Sequence, residues 1–155
     1  MKYNRGVSFF EIIIVLAIMG IIFAVSIPSF SDFRNRQVVR NTAEDVVTLL
    51  NEARNDTLLS KSSTFYSVHI ENTRAVLFTG GTFDTNAASN IVITFDALVT
   101  APSGNISLNG GGSDVKFDRL SGDTSQYGTI QVNLISNSAI KKIITINKLG
   151  VVSAN

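Results

Sequence analysis

The 155-residue sequence predicts an α+β fold. One long N-terminal α-helix, membrane-anchoring in its first half and amphipathic in its second, packs on an antiparallel β-rich globular head. Three observations carry this expectation. The segment from Ile12 to Val25 is an apolar run, preceded by a single acid, Glu11. Val39, Ala43, Val46, Leu50, Ala53 and Thr57 recur at alternating spacings of four and three, which places them on one helix face. From Thr64 onward, short runs rich in branched and aromatic residues alternate with clusters of Gly, Asn and Ser, the pattern of strands and turns.

The first element is also the most informative. Lys2 and Arg5 give a short basic leader that ends at Gly6, and Val7-Ser8-Phe9-Phe10 leads into Glu11 and the apolar run. A carboxylate in hydrocarbon costs on the order of 2.5–3.5 kcal/mol at the bilayer centre and less near an end. Glu11 therefore needs a function and a partner. Cleavage between Gly6 and Val7 would supply one, the free Val7 amine one helical turn away, on this chain or on a neighbour. Three other readings fit the apolar run less well. An ordinary secretory signal with a cut near Ala24-Val25-Ser26 would not place an acid at the border of its basic and apolar regions. A plain anchor fits in length, since 7–27 spans about 32 Å as a helix against a hydrocarbon core of about 30 Å, but has no use for Glu11. A buried core helix lacks a domain large enough to surround it.

The leader with Lys2 and Arg5, the glycine at the cut, Glu11 after it, and Gly20 and Pro28 within the apolar segment together resemble the prepilin-like proteins. These are the type IV pilins and the pseudopilins of type II secretion. The head resembles most the minor pseudopilin H and FimT-like group. That likeness rests on Ala53-Arg54, Val92-Ile93-Thr94-Phe95, Val115-Lys116-Phe117 with Gly122, Gly128-Thr129-Ile130-Gln131-Val132, Ile143 to Ile146, and Gly150-Val151-Val152. The resemblance implies processing after Gly6 by a prepilin peptidase, methylation at Val7, and residence in the inner membrane as a single-pass protein with its head on the periplasmic or extracellular side. It further implies assembly through Glu11 and Val7 with other pilin or pseudopilin subunits at an inner-membrane assembly platform. Before assembly the partner of the apolar helix is membrane lipid.

The expected organisation is a leader at 1–6, a membrane and filament-core helix at 7–28, an amphipathic helix at 29–60 and the β head at 61–155. Gly20 and Pro28 bracket a weak span where the long helix bends or loosens, because proline removes a helix hydrogen bond and strains the preceding turn. The helix is expected to run from about Val7 to Leu59 and to end around Ser60 to Ser63. The expected strands are 64–70, 74–79, 91–95, 105–108, 115–118, 129–135 and 142–147, with Val151-Val152 as a short last one. Turns at Glu71-Asn72-Thr73 and Asn137-Ser138, with no helices between strands, imply antiparallel pairing.

Composition narrows the function. No cysteine is present, so cysteine catalysis, cysteine-ligated zinc and stabilising disulfides are all excluded. Loss of Lys2 and Arg5 with the leader would change a formal charge of +1 to eleven basic against twelve acidic side chains, net −1. A near-neutral chain has no bulk preference for nucleic acid or anionic lipid.

No catalytic residue, cofactor or metal is expected. His69 is the sole histidine and lies in a strand beside Ser67, where a partly exposed polar role is the simpler account. Gly110-Gly111-Gly112 before Ser113-Asp114 lacks the helix N-terminus and lysine of a phosphate loop. Asp84, Asn86 and Asn90, and a second cluster of Asp118, Asp123 and Gln126, carry oxygen ligands but match no EF-hand. Some FimT-like pilins receive DNA through C-terminal arginines. Here Lys141, Lys142 and Lys148 stand in that region without an arginine after Arg119, so they read as lysines that discourage extension of an edge strand.

The sequence thus points to an assembly subunit of a pilus or pseudopilus, and the head resemblance implies a minor one. The rivals are a membrane-tethered binding domain that never polymerises and a minor pilin acting as a DNA-uptake receptor.

Overall fold

The computed structural model describes residues 7–59 and 64–155, the side chains of residues 24–29 excepted. The leader 1–6 and the expected helix end at 60–63 lie outside the described residues. The chain divides between Arg34 and Asn35 into two compact units. Helix α1 (Phe9–Leu58) begins in the first and ends in the second, and it includes Gly20 and Pro28 within its bounds.

In the second unit the later turns of α1 pack on two antiparallel sheets. Strands β1 (Tyr66–Ile70), β2 (Arg74–Thr79), β3 (Ile91–Thr94) and β6 (Asp114–Lys116) form one sheet in the order β3-β2-β1-β6. The other contains β4 (Val99–Thr100), β5 (Ile106–Leu108), β7 (Gly128–Leu134), β8 (Lys141–Ile146) and β9 (Val152–Ala154). Its order is β4-β7-β8-β9, with β5 also paired to β7.

The helix face expected from the sequence is the one that is buried. Val39, Ala43, Val46, Leu50, Ala53 and Thr57 are at most 1% exposed, and Leu49 joins them at 0%. They meet Val68, Ile70, Leu77 and Phe117 from the first sheet region and Ile130, Val132, Leu134, Ile144 and Ile146 from the second in one core. Thr57 ends the buried stripe with a tie to β1. Its hydroxyl accepts the Tyr66 N–H at 2.8 Å and donates to the Tyr66 carbonyl at 3.4 Å.

Three details differ from the sequence reading. The short strand β4 was not expected; two residues between loops carry no periodicity, and only pairing with Leu134 and Asn133 defines them. Asp56, an acid outside the stripe from Val39 to Thr57, is buried at 9% exposure because it neighbours Thr57 on a helix gripped by two sheets. Lys141 and Lys142 do not lie on an edge strand, since β8 sits between β7 and β9. They fall at the end of β8 that extends beyond β9, whose register covers only Ile144 to Ile146.

Candidate assembly site

The first unit holds the residues that the sequence assigns to assembly. Ser8 opens α1, its carbonyl accepting the N–H groups of Glu11 at 3.0 Å and Ile12 at 3.3 Å. Glu11 consequently lies in the first helical turn, where unpaired N–H groups and the helix dipole favour a negative charge by about 0.3–1 kcal/mol. Val7 and Glu11 line one recess of about 290 Å³ together with Ile12, Val15 and Leu16. The structure therefore brings the two predicted assembly residues together on one side of the helix start. Gly6 lies outside the described residues.

Every described side chain from Val7 to Phe23 is exposed, including Phe9 at 78% and Phe10 at 72%. Burying a large aliphatic or aromatic side chain is worth about 1.5–3 kcal/mol, so an uncovered stripe of this length requires an apolar surrounding. Gly20 has open space where a Cβ would stand. Among the described residues no helix is long and apolar enough to cross a membrane. The span expected from sequence, 7–27, includes residues whose side chains are not described.

In the second unit Arg54 organises the surface beside the helix end. Its Nε donates to the Gly122 carbonyl at 3.0 Å and an Nη to the Leu149 carbonyl at 3.1 Å. Gly150 adopts φ 71°, and a Cβ there would stand 2.0 Å from the Gly122 carbonyl oxygen. Arg54, Gly122 and Gly150 were each noted in the sequence, but spacings of 68 and 95 residues hid their contact.

The polar candidates of the head are engaged in structure. His69 Nδ1 lies 2.5 Å from Asp114 Oδ1 and Nε2 4.0 Å from Glu71 Oε1, while the ring stacks on Phe83 at 4.1 Å. Ser67 directs its hydroxyl to the Gly80 carbonyl at 2.8 Å, so no Ser-His pair is assembled. Arg74 binds both Glu71 oxygens at 2.8 and 2.9 Å, and these hydrogen bonds hold the Glu71 carboxyl below its ordinary range. Asp84 accepts the Asn86 N–H at 2.9 Å, and Asn90 donates to the Asp84 carbonyl at 2.8 Å. In the second cluster Asp118 and Asp123 pair through their backbones, and Gln126 accepts the Lys116 N–H at 3.3 Å. Among the described residues no group of three or more His, Cys, Asp or Glu is placed to hold a metal ion. Lys148 places its ammonium 4.9 Å from the centre of the Tyr127 ring, a pairing the sequence reading missed.

No family model and no curated protein matches the chain. Among solved structures it is similar to the crystal structure of the type IV minor pilin FimU of Pseudomonas aeruginosa strain PAO1. The match has a TM-score of 0.56 at 12% identity and covers 75% of this chain and 91% of that one. The fold is thus type IV pilin-like, a helix packed on antiparallel sheets.

Proposed function

We propose that this chain is a structural subunit, a minor one, of a type IV pilus or a type II secretion pseudopilus. A prepilin peptidase cuts between Gly6 and Val7 and methylates the new terminus. The apolar helix holds the subunit in the inner membrane, then leaves it at an assembly platform to pack with the helices of other pilin or pseudopilin subunits. Gly20 and Pro28 supply the loosened span of that helix. The observation that carries this reading is the exposed apolar stripe from Val7 to Phe23 with one carboxylate in its first turn.

A bundle of like helices replaces lipid at little cost, because both surroundings are apolar. Glu11 then fixes axial register by accepting the Val7 amine of a neighbouring subunit, a use in which buried polar groups are well attested. A tethered domain that never polymerises gains only the dipole term from Glu11, which aspartate would retain. The DNA-receptor alternative would rest on Lys141, Lys142 and Lys148 alone, and Lys148 already covers Tyr127.

The test has two arms. Intact-mass analysis of protein from its native membrane should find Val7 as the N-terminus, with one methyl group; a terminus near Ser26 would mean an ordinary secreted protein. Co-purification with partner pilins should fall for Glu11→Leu and Glu11→Gln, since an unpaired buried charge costs about 3–5 kcal/mol. Equal recovery of wild type, Leu, Gln and Asp forms would favour the tethered domain.

A further inference from the structure

The first sheet has two edges that differ in how they are guarded. At β6 the register with β1 points the Lys116 N–H outward, and Gln126 caps it at 3.3 Å. That strand also carries two charges, Asp114 and Lys116. At the opposite edge, β3 reads Ile91-Val92-Ile93-Thr94, without a charge or a proline. Ile91 is 46% and Val92 47% exposed. Natural edge strands are normally blunted by lysine, proline, a bulge or a cover, because their open backbone groups template another strand. None of the first three occurs in β3.

The open groups can be assigned. β3 pairs with β2 through Arg74 with Thr94, Ala75 with Ile93, Val76 with Val92 and Leu77 with Ile91. The Phe95 N–H continues this ladder to the Thr73 carbonyl at 2.8 Å. Hydrogen-bonded and non-bonded pairs alternate along an antiparallel ladder. Ile91 and Ile93 therefore bond inward to β2, and Val92 and Thr94 direct their N–H and C=O groups outward.

We infer that β3 is a pairing edge for β3 of a second copy of this chain, antiparallel about a two-fold axis through Ile93. In that register Val92 of each copy faces Thr94 of the other, and the four outward N–H groups meet four carbonyls. Ile93 faces Ile93 across the axis, and no like charges oppose each other within the strand. The second copy is the fitting occupant because the strand is self-complementary in backbone, apolar character and charge. Four residues a side bury far less than the roughly 800 Å² per partner of a stable dimer, so the pair forms where local concentration is high. A two-fold contact closes on itself and does not propagate along a polar filament. The pairing thus belongs to unassembled subunits and stands or falls independently of the filament reading.

The absence of cysteine makes a direct test clean. Full-length Val92→Cys and Thr94→Cys chains, each in detergent micelles, are oxidised alone and as an equimolar mixture. Cα atoms of a hydrogen-bonded antiparallel pair stand about 5.5 Å apart, within disulfide reach. The mixture should give disulfide dimer severalfold above either chain alone. Adding Val92→Pro to the Thr94→Cys chain deletes one outward N–H without touching the β2 ladder. It should lower the yield about fivefold, one hydrogen bond's worth, with the circular dichroism spectrum unchanged. Equal yields from the mixture and the single chains, no dimer in any sample, or a yield indifferent to the proline would overturn the proposal.

Discussion

Arg54 shows how one side chain can hold distant segments of the head. It joins the late α1 turn to both the Gly122 and Leu149 carbonyls. Arg54→Leu should cost about 1–3 kcal/mol in urea unfolding, since two acceptors lose a charged donor. Gly150→Ala should cost more than Arg54→Leu, because its Cβ would meet a backbone oxygen and the residue already holds φ 71°. The Glu71–Arg74 pair makes a different prediction. The Glu71 pKa is depressed when folded, chiefly by the Arg74 hydrogen bonds. Its stabilising contribution is therefore complete above the ordinary carboxylate value of 4.5 and is lost as pH falls through the lower folded value. Arg74→Gln should narrow that acid-side dependence in unfolding titrations. Added salt should shrink the difference, because the pair is partly exposed.

At the scale of elements, the legible features were those with a period. The stripe from Val39 to Thr57 was readable because one helix face is buried throughout, and β2 was readable to the residue because turns bracket it on both sides. Leu49 was not assigned to the stripe, since a single-face pattern of four and three omits the residue beside Leu50. Packing between two sheets widens the buried arc to include it. Leu49→Ala should consequently destabilise the head as much as Leu50→Ala, about 2–5 kcal/mol each by chemical unfolding. A loss under about 1 kcal/mol at Leu49 would show that the arc is narrower than its burial implies. The strand β4 and the Lys148–Tyr127 contact were illegible for a common reason. Both depend on segments brought together from far apart in the chain, for which local spacing carries no signal.

For the whole molecule, the placement of Val7 and Glu11 in one recess was readable at the helix start, because helical spacing alone puts them on one side. The division at Arg34 and Asn35 yields a sharper expectation. Every residue of the hydrophobic core, from Val39 on α1 to Ile146 on β8, belongs to the second unit. A fragment beginning at Asp32 keeps that core and the Arg54 contacts while omitting the exposed apolar stripe. It should be soluble, show mixed helix and strand by circular dichroism, and unfold cooperatively. A fragment beginning after Leu59 should aggregate, since it removes Leu49, Leu50 and the other helix side chains that cover the sheets and leaves the Tyr66 backbone without its Thr57 partner. Solubility and a cooperative transition in that shorter fragment would mean that the sheets sustain a core without α1. The helix face from Val39 to Thr57 would then be free to contact other subunits instead.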